Sequence, residues 1–183
     1  MTTPKKYYSL DQVQGFVLEI ARRMQHDQWK PDYIVGITRG GLVPATLLSH
    51  YLNVRLETLN VSLRDKFGDM GPKTNCWMAE DAFGYVNDPN AVLKFDVNLA
   101  KKILIVDDIN DSGKTLNWIR DDWRSSCLPN NNQWDYIWGN NVRVAVMINN
   151  DASDFKDVDY VGLNINKLEE PIWCVFPWEE WWR

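Results

Sequence analysis

The chain has 183 residues and a formal net charge of -5, which suits one domain with a sizeable hydrophobic core. This charge argues against nonspecific nucleic-acid binding, because such binding depends on a basic surface. The sequence has no apolar run near the roughly 20 residues that a membrane span needs, and its start, MTTPKKYYSLDQ, lacks an apolar leader segment.

The first predicted element is a helix that begins after Ser9. Apolar residues recur there at helical spacing, from Val13 through Ile20 to Met24. Ser9 is a suitable N-cap, and Gln12, three residues later, completes a capping box.

Five apolar segments further along the chain are typical of strands, and helical patterns separate several of them. The strands are predicted at 33–37, 54–63, 102–108, 142–148 and 160–165, and the helices at 41–52 and 113–123. Apolar strands that alternate with helices indicate a mostly parallel sheet covered on both faces. The sequence therefore predicts an α/β fold in which helices flank a mostly parallel, twisted sheet. In such sheets, ligands bind at the carboxyl ends of the strands.

Residues 64–96 lie between the second and third predicted strands and contain no clear core strand. A connection of about thirty residues is too long for an ordinary loop and is more often a lid or a small insertion. The stretch NCWMAEDAFGYV is compatible with a short helix, and its aromatic residues argue against full disorder. We therefore expect a flap or insertion at 64–96.

The three cysteines, Cys76, Cys127 and Cys174, lie far apart and form no CxxC pair. An odd, scattered set indicates neither a disulfide framework nor a zinc site, so we expect a reducing compartment and a cytoplasmic protein. The chain also has ten tryptophans and closes on WEEWWR. These rings could serve packing, a subunit interface or stacking on a planar ligand.

The segment that follows the third predicted strand, DDINDSGKT, ends like a P-loop. A true P-loop needs a glycine five residues before Gly113, where this chain has Asp108. Together with Asp107 and Asp111, this acid would repel a bare phosphate chain, because two such charges at ~4 Å repel by roughly 4 kcal/mol. The ligand should therefore bring hydroxyl groups or a divalent metal as well as phosphate.

The turn into the next helix is nevertheless suited to a phosphate. Its backbone amides, the helix dipole and the hydroxyls of Ser112 and Thr115 would form an anion site. A ligand with phosphate at one end and vicinal hydroxyls at the other is a ribose 5-phosphate.

A second anion site is predicted after the first core strand, in the segment ITRGGLVPATLLSHYL. Two consecutive glycines, Gly40 and Gly41, expose backbone amides, and Arg39 adds a forked cation. The alternative is a tight strand-to-helix turn with a solvated arginine.

These segments resemble the type I phosphoribosyltransferase family. ILIVDDINDSGKT resembles its signature for phosphoribosyl pyrophosphate (PRPP), and ITRGGLVPATLLSHYL is similar to its pyrophosphate loop. WCVFPWE, at 173–179, is similar to a closing Trp-x-x-x-Pro-Trp-acid segment found in the family. The resemblance covers most of the chain, apart from 64–96 and about 125–140. It implies one domain over 1–183, with a small C-terminal hood at 166–183.

The resemblance also implies roles for the loop residues. The pyrophosphate of PRPP would be bound by Thr38, Arg39, Gly40 and Gly41, the ribose hydroxyls and Mg²⁺ by Asp107 and Asp108, and the 5-phosphate by Asp111, Ser112, Gly113, Lys114 and Thr115. Asp111 would accept the proton that the base loses, while Asp108 and Arg39 would assist the departure of pyrophosphate. Lys114 holds the variable position of the motif and is expected to face solvent.

For the base, the resemblance implies stacking on Trp173, packing against Ile109 and a contact with the backbone of Cys174. A core role for Trp173 and Ile109 stays open. Relatives that use 6-oxopurines carry a lysine just after the fourth core strand, where this chain reads MINND. Asn150 or Asn149 takes that place, and an amide can both donate and accept, so the choice of base is not fixed there.

We therefore expect a magnesium-dependent purine phosphoribosyltransferase that uses PRPP and a free base, such as guanine, xanthine or hypoxanthine. The expected assembly is a homodimer or homotetramer, without nucleic-acid or membrane partners. Arg64, Lys66 and Lys73 are candidate pyrophosphate contacts from the flap. Two alternatives stay open: the same fold acting on another or nonstandard base, and a PRPP-binding regulator without turnover.

Overall fold

The fold was obtained as a computed structural model, which describes residues 3–61, 75–86, 88–90, 94–129 and 133–182. The strands are β1 (Lys5–Tyr7), β2 (Tyr33–Thr38), β3 (Arg55–Asn60), β4 (Ile103–Asn110), β5 (Val142–Asn150), β6 (Tyr160–Ile165) and β7 (Trp173–Val175). The helices are α1 (Leu10–His26), α2 (Leu42–Leu52), α3 (Cys76–Phe83), α4 (Lys114–Ser126) and α5 (Trp134–Ile137), and a short 3-10 helix spans Val97–Leu99.

Five strands form a parallel sheet in the order β3-β2-β4-β5-β6. These are the five strands that the apolar segments predicted, and the predicted α/β class is confirmed. β1 and β7 pair with each other in a separate two-stranded parallel sheet. The sequence did not predict these two strands, because three residues are too few to show an alternating pattern.

The sheet has a separate apolar core on each face. Ile103 and Ile105 of β4 belong to the core that α3, α4 and α5 cover. Leu104 and Val106, which alternate with them, belong to the core that α1 and α2 cover. All four side chains are fully buried, and each such burial stabilises the fold by roughly 1.5–3 kcal/mol. This two-sided packing explains why the strands read as continuous apolar runs.

The predicted start of α1 is confirmed by its cap. The Gln12 backbone N–H donates to Ser9 Oγ at 3.2 Å, and the Ser9 backbone N–H donates to Gln12 Oε1 at 2.9 Å. This reciprocal pair satisfies two amides that the first helical turn would otherwise leave without partners.

We expect Gly15→Ala to raise the free energy of unfolding by about 0.5–1 kcal/mol, because glycine in a helix interior costs about that much relative to alanine. Among the residues that the structure describes, a Cβ at Gly15 would meet nothing within 4 Å. Urea unfolding measures the change. Gly162→Ala is the matched control and should destabilise the protein, because its Cβ would lie 2.6 Å from Phe16 Cβ and 2.7 Å from the Met147 carbonyl oxygen.

The cysteines contradict the sequence-based expectation. Cys76 and Cys127 form a disulfide, with their Cα atoms 5.1 Å apart, while Cys174 is free and buried. The prediction of no disulfide was wrong because α3 packs beside the end of α4, and this contact between distant segments leaves no trace in the cysteine spacing. The disulfide therefore removes the basis for expecting a reducing compartment.

The predicted flap at 64–96 lies only partly within the described residues. The predicted short helix is confirmed as α3, and its Met78, Ala79 and Ala82 are buried in the core. This helix is therefore part of the main body of the domain. Arg64, Lys66 and Lys73 lie outside the described residues, and the role of the flap stays a prediction. In the part of the chain that is described, none of the helices combines the length and apolarity needed to span a bilayer.

Candidate active site

A cavity of about 870 Å³ opens at the carboxyl ends of the central strands. β2 and β4 are neighbours in the sheet, and the chain leaves them in opposite directions, toward β3 and toward β5. Such a switch point is the usual ligand site of an open parallel sheet. The predicted residues that line this cavity are Thr38, Arg39, Gly40, Asp107, Asp108, Ile109, Asp111, Ser112, Gly113, Lys114 and Thr115.

Two consecutive acids at the end of β4 face this cavity, and backbone amides fix both carboxylates. Asp107 Oδ1 accepts a hydrogen bond from the Asp108 N–H at 3.0 Å, and Asp108 Oδ1 accepts one from the Ile109 N–H at 2.8 Å. These bonds leave little freedom for either side chain to rotate. The acids therefore form a fixed anionic edge of the cavity.

Asp108 is the more perturbed of the two acids. Burial, followed by the nearby negative charge of Glu179, raises the pKa of its carboxyl to about 6, although the hydrogen bond from the Ile109 N–H acts in the opposite direction. The ionised form of such a carboxylate is unfavourable on its own, and a cation that binds beside it stabilises that form. Asp108 is thus suited to a cationic or metal-bound ligand.

The two glycines after β2 bring their loop into contact with β4. A Cβ at Gly40 would lie 2.0 Å from Asp108 Oδ2, and a Cβ at Gly41 would lie 2.3 Å from the Val106 carbonyl oxygen. Gly41 is the N-cap of α2 and, unlike Gly40, is not among the described residues that line the cavity. The sequence interpretation assigned these glycines to anion binding, with a tight strand-to-helix turn as the alternative, and the structure adds close loop packing. The preceding Thr38–Arg39 peptide bond is cis.

The loop from Asp111 to Thr115 is held from below by buried polar groups. Asn110 is 2% exposed, and its amide donates to the Phe155 carbonyl at 2.9 Å and accepts from Ser153 Oγ at 2.8 Å. Gly113 has φ of +81°, and a Cβ there would lie 2.4 Å from the Phe155 backbone nitrogen. The β5–β6 loop therefore shapes the predicted phosphate loop. Sequence reasoning missed Asn110 and Ser153, although an asparagine directly after an apolar strand and two acids was a visible signal.

The remaining predicted base contacts lie outside the lining of the cavity. Asn150 is buried behind Asp111, and its amide donates to the Asp111 carbonyl oxygen at 2.9 Å. Cys174 is also buried, and this burial raises the pKa of its thiol. Trp173 lies in β7 and is 47% exposed. The assignment of Asn150, Cys174 and Trp173 to the base stays a prediction, while Ile109 does face the cavity.

The C-terminal segment contributes residues that sequence reasoning did not assign to the site. Trp178, Glu179 and Trp182 line the cavity, and Trp178 stacks on Phe176 with ring centroids 5.0 Å apart and planes 7° apart. The tryptophan-rich WEEWWR ending was the available signal, because aromatic rings favour planar ligands. Lys114, in contrast, is exposed at the rim, as expected from its variable position.

The donor set fits a magnesium ion that the ligand shares. The described residues contain no group of three or more histidine, cysteine, aspartate or glutamate side chains that would hold a metal alone. Mg²⁺ usually takes one or two carboxylates, keeps several waters and completes its octahedron with substrate oxygens. Asp107 and Asp108 would supply such a partial set.

Known proteins resemble this chain in sequence. Xanthine-guanine phosphoribosyltransferase of Cereibacter sphaeroides is 40% identical over 88 residues, which is 48% of this chain and 44% of that protein. Xanthine phosphoribosyltransferase 1 of Saccharomyces cerevisiae is 27% identical over 128 residues, which is 62% of this chain and 57% of that protein. The matches thus span about half the length of these curated relatives.

The fold is also found in solved structures. A purine phosphoribosyltransferase from Pyrococcus horikoshii superimposes with a TM-score of 0.60 at 25% identity, over 96% of this chain and 94% of that one. The model of the phosphoribosyl transferase domain matches residues 9–180. With the glycine loop, the paired acids and the phosphate loop around one cavity, the chain belongs to the phosphoribosyl transferase domain family.

Proposed function

We propose that the protein is a magnesium-dependent purine phosphoribosyltransferase, which transfers the 5-phosphoribosyl group of PRPP to a purine base and releases pyrophosphate. The observation that carries the proposal is one cavity lined by the glycine loop after β2, the acids that end β4 and the loop that begins α4. PRPP presents three matching groups, which are the pyrophosphate, the ribose hydroxyls and the 5-phosphate.

The loop from Asp111 to Thr115 would bind the 5-phosphate. It leads directly into α4, whose N-terminal amides and dipole favour an anion. Ser112 and Thr115 both line the cavity and add hydroxyl donors. A compact phosphate at this end would leave the ribose facing the acids of β4.

Asp107 and Asp108 would accept hydrogen bonds from the ribose hydroxyls and would hold magnesium together with the ligand. Bound there with PRPP, magnesium would neutralise negative charge on the leaving pyrophosphate. Arg39 lines the same cavity next to Gly40 and would add a fixed guanidinium to that end. Magnesium and Arg39 would offset the negative charge of the acids and of the ligand, so that acids and a phosphate loop can share one site.

The transfer needs a proton acceptor close to the base. The bond from the anomeric carbon to the pyrophosphate oxygen breaks, the base nitrogen bonds to that carbon, and the proton on the base moves to a carboxylate. Asp111 lines the cavity at the start of the phosphate loop and is the residue that we propose for this role. Most of the catalysis would come from positioning and charge stabilisation.

A purine is the favoured base because the curated relatives bear the names of xanthine and xanthine-guanine enzymes. In this chain, Ile109, Trp178 and Trp182 provide apolar and aromatic faces in the cavity. We also propose a homodimer or homotetramer, since Trp181 is largely exposed in the single chain and exposed apolar surface favours a partner. The cytoplasmic location stays a prediction.

The proposal is tested by incubating the protein with Mg²⁺, PRPP and one base at a time, and following pyrophosphate release. The bases are guanine, hypoxanthine, xanthine, adenine, uracil and orotate. We expect turnover with at least one 6-oxopurine, none with uracil or orotate, and loss of activity when EDTA removes the metal. PRPP binding without turnover of any base would reject the enzyme and favour a PRPP-binding regulator.

A further inference from the structure

We propose that Lys167 is a positioning residue for Asp111 and that, with Asn150, it holds the carboxylate of Asp111 against the cavity. We call these three residues the Asp111 clamp. The inference rests on the proposed function, because it gives Lys167 a kinetic role only if Asp111 accepts the proton of the base.

The contacts of the Asp111 clamp form a closed ring. Lys167 Nζ lies 2.8 Å from Asp111 Oδ1. Asn150 Nδ2 donates to the Asp111 carbonyl oxygen at 2.9 Å, and Asn150 Oδ1 accepts from the Lys167 backbone N–H at 3.0 Å. The side chain and the backbone of Asp111 are therefore fixed by two neighbours that also bond to each other.

The position of the clamp in the fold makes it rigid. Asn150 ends β5, and Lys167 follows β6, its neighbour in the sheet. The Asp151 N–H donates to the Ile165 carbonyl at 2.8 Å, which ties the two strand ends together. The Lys167 side chain is 16% exposed and that of Asp111 is 27% exposed. An ion pair shielded to this degree is screened less by salt than a surface pair.

The clamp lies behind the site. Among the described residues, the cavity lining includes Asp111 but neither Asn150 nor Lys167. Lys167 would therefore act on the ligand through Asp111. Its removal should disturb the orientation of the Asp111 carboxylate and should have a smaller effect on the affinity for PRPP. Small misplacements are costly in catalysis, since about 1 Å can lower a rate by roughly 100-fold.

The buried amide of Asn150 supports the same assignment. Its Oδ1 also accepts from the Ala152 N–H at 3.2 Å, so both ends of the amide are engaged within the protein. Asn150 is 6% exposed. These bonds give it a structural task in the clamp, whereas the sequence had suggested a direct contact with the base.

The test is a double-mutant cycle with Lys167→Gln, Asp111→Asn and the double variant, read out as single-turnover rates and as PRPP affinity. We expect Lys167→Gln to slow turnover by about 10-fold or more while PRPP affinity changes less than about 2-fold. In the Asp111→Asn background the same change should alter the rate less than about 2-fold, because interacting residues are not additive. Lys167→Arg should recover much of the lost rate, since it restores the cation.

Lys156→Gln is the matched control, because Lys156 is an exposed lysine that donates to the Asp151 carbonyl and should leave the rate unchanged. Equal losses from Lys167→Gln in both backgrounds would overturn the inference and leave the proposed function intact. Unchanged turnover in Lys167→Gln would also overturn it. Absence of turnover in the wild type with every base would instead reject the proposed function. PRPP titration of each variant shows whether its site is folded.

Discussion

We expect Gly113→Ala to weaken PRPP binding by at least about 100-fold, which is equivalent to roughly 2.7 kcal/mol. Gly113 has φ of +81°, and an added Cβ would lie 2.4 Å from the Phe155 backbone nitrogen and 2.8 Å from Ser153 Oγ. Neither the loop nor the backbone below it can yield without displacing the amides that we propose bind the phosphate. Calorimetric titration with Mg²⁺ and PRPP measures the loss.

Gly113→Ala combines strain of the left-handed backbone with a steric clash of the added Cβ, and Gly139→Ala introduces only the backbone strain. Gly139 has φ of +79°, but within the described part of the chain a Cβ there would meet only Asp159 Oδ1, at 3.9 Å. This variant should lose about 1–2 kcal/mol of stability for the left-handed backbone and keep its PRPP affinity. If Gly113→Ala bound PRPP as tightly as the wild type, the phosphate site would have to lie elsewhere.

The sequence was sufficient for the parts of the fold that depend on local pattern. The five sheet strands carry continuous apolar runs because both faces of the sheet are covered, and α1 begins where its capping box predicts. The pairing of β1 with β7 joins the two ends of the chain. No local pattern marks such a pair, since its backbone partners come from the other terminus.

The same distinction between local pattern and long-range contact holds for the candidate site. The residues that we propose to bind phosphate and hydroxyls lie in two short segments, so their type and spacing were enough to predict a site at the carboxyl ends of the strands. Lys167 and Ser153 act through contacts between different loops, and their own segments carry no motif. The Cys76–Cys127 disulfide was missed for the same reason. Tertiary packing decides these contacts, and spacing alone does not encode it.

The fixed backbone explains why the site can hold acids close together. Asp107 and Asp108 each accept a hydrogen bond from the following amide, and those bonds offset part of the repulsion between the two carboxylates. Burial and Glu179 still raise the pKa of Asp108 to about 6. The protein therefore keeps one acid in an unfavourable charged state, which a bound cation would relieve.

We expect Asp108→Asn to stabilise the ligand-free protein at pH 8 by about 2–3 kcal/mol and to abolish tight binding of PRPP with Mg²⁺. The pKa of Asp108 is raised to about 6 in the folded protein, against about 3.9 in an unfolded chain. Because the folded state favours the protonated carboxyl, Asp108 contributes its full stabilisation below pH 4, and this stabilisation is lost as the pH rises through 6. The asparagine variant lacks this loss, so its advantage should appear between pH 4 and 7. Urea unfolding across that range measures it.

Two further variants make this expectation specific to Asp108. Asp121→Asn removes an exposed acid of α4 and should keep the same dependence of stability on pH as the wild type. Glu179→Gln removes the second cause of the raised pKa, so the loss of stability should shrink and its midpoint should move to lower pH. Because only the ionised carboxylate can hold the metal, wild-type affinity for PRPP with Mg²⁺ should also fall as the pH drops below about 6. An Asp108→Asn variant that is less stable than the wild type at pH 8, or that binds PRPP with Mg²⁺ equally well, would contradict the role given to this acid.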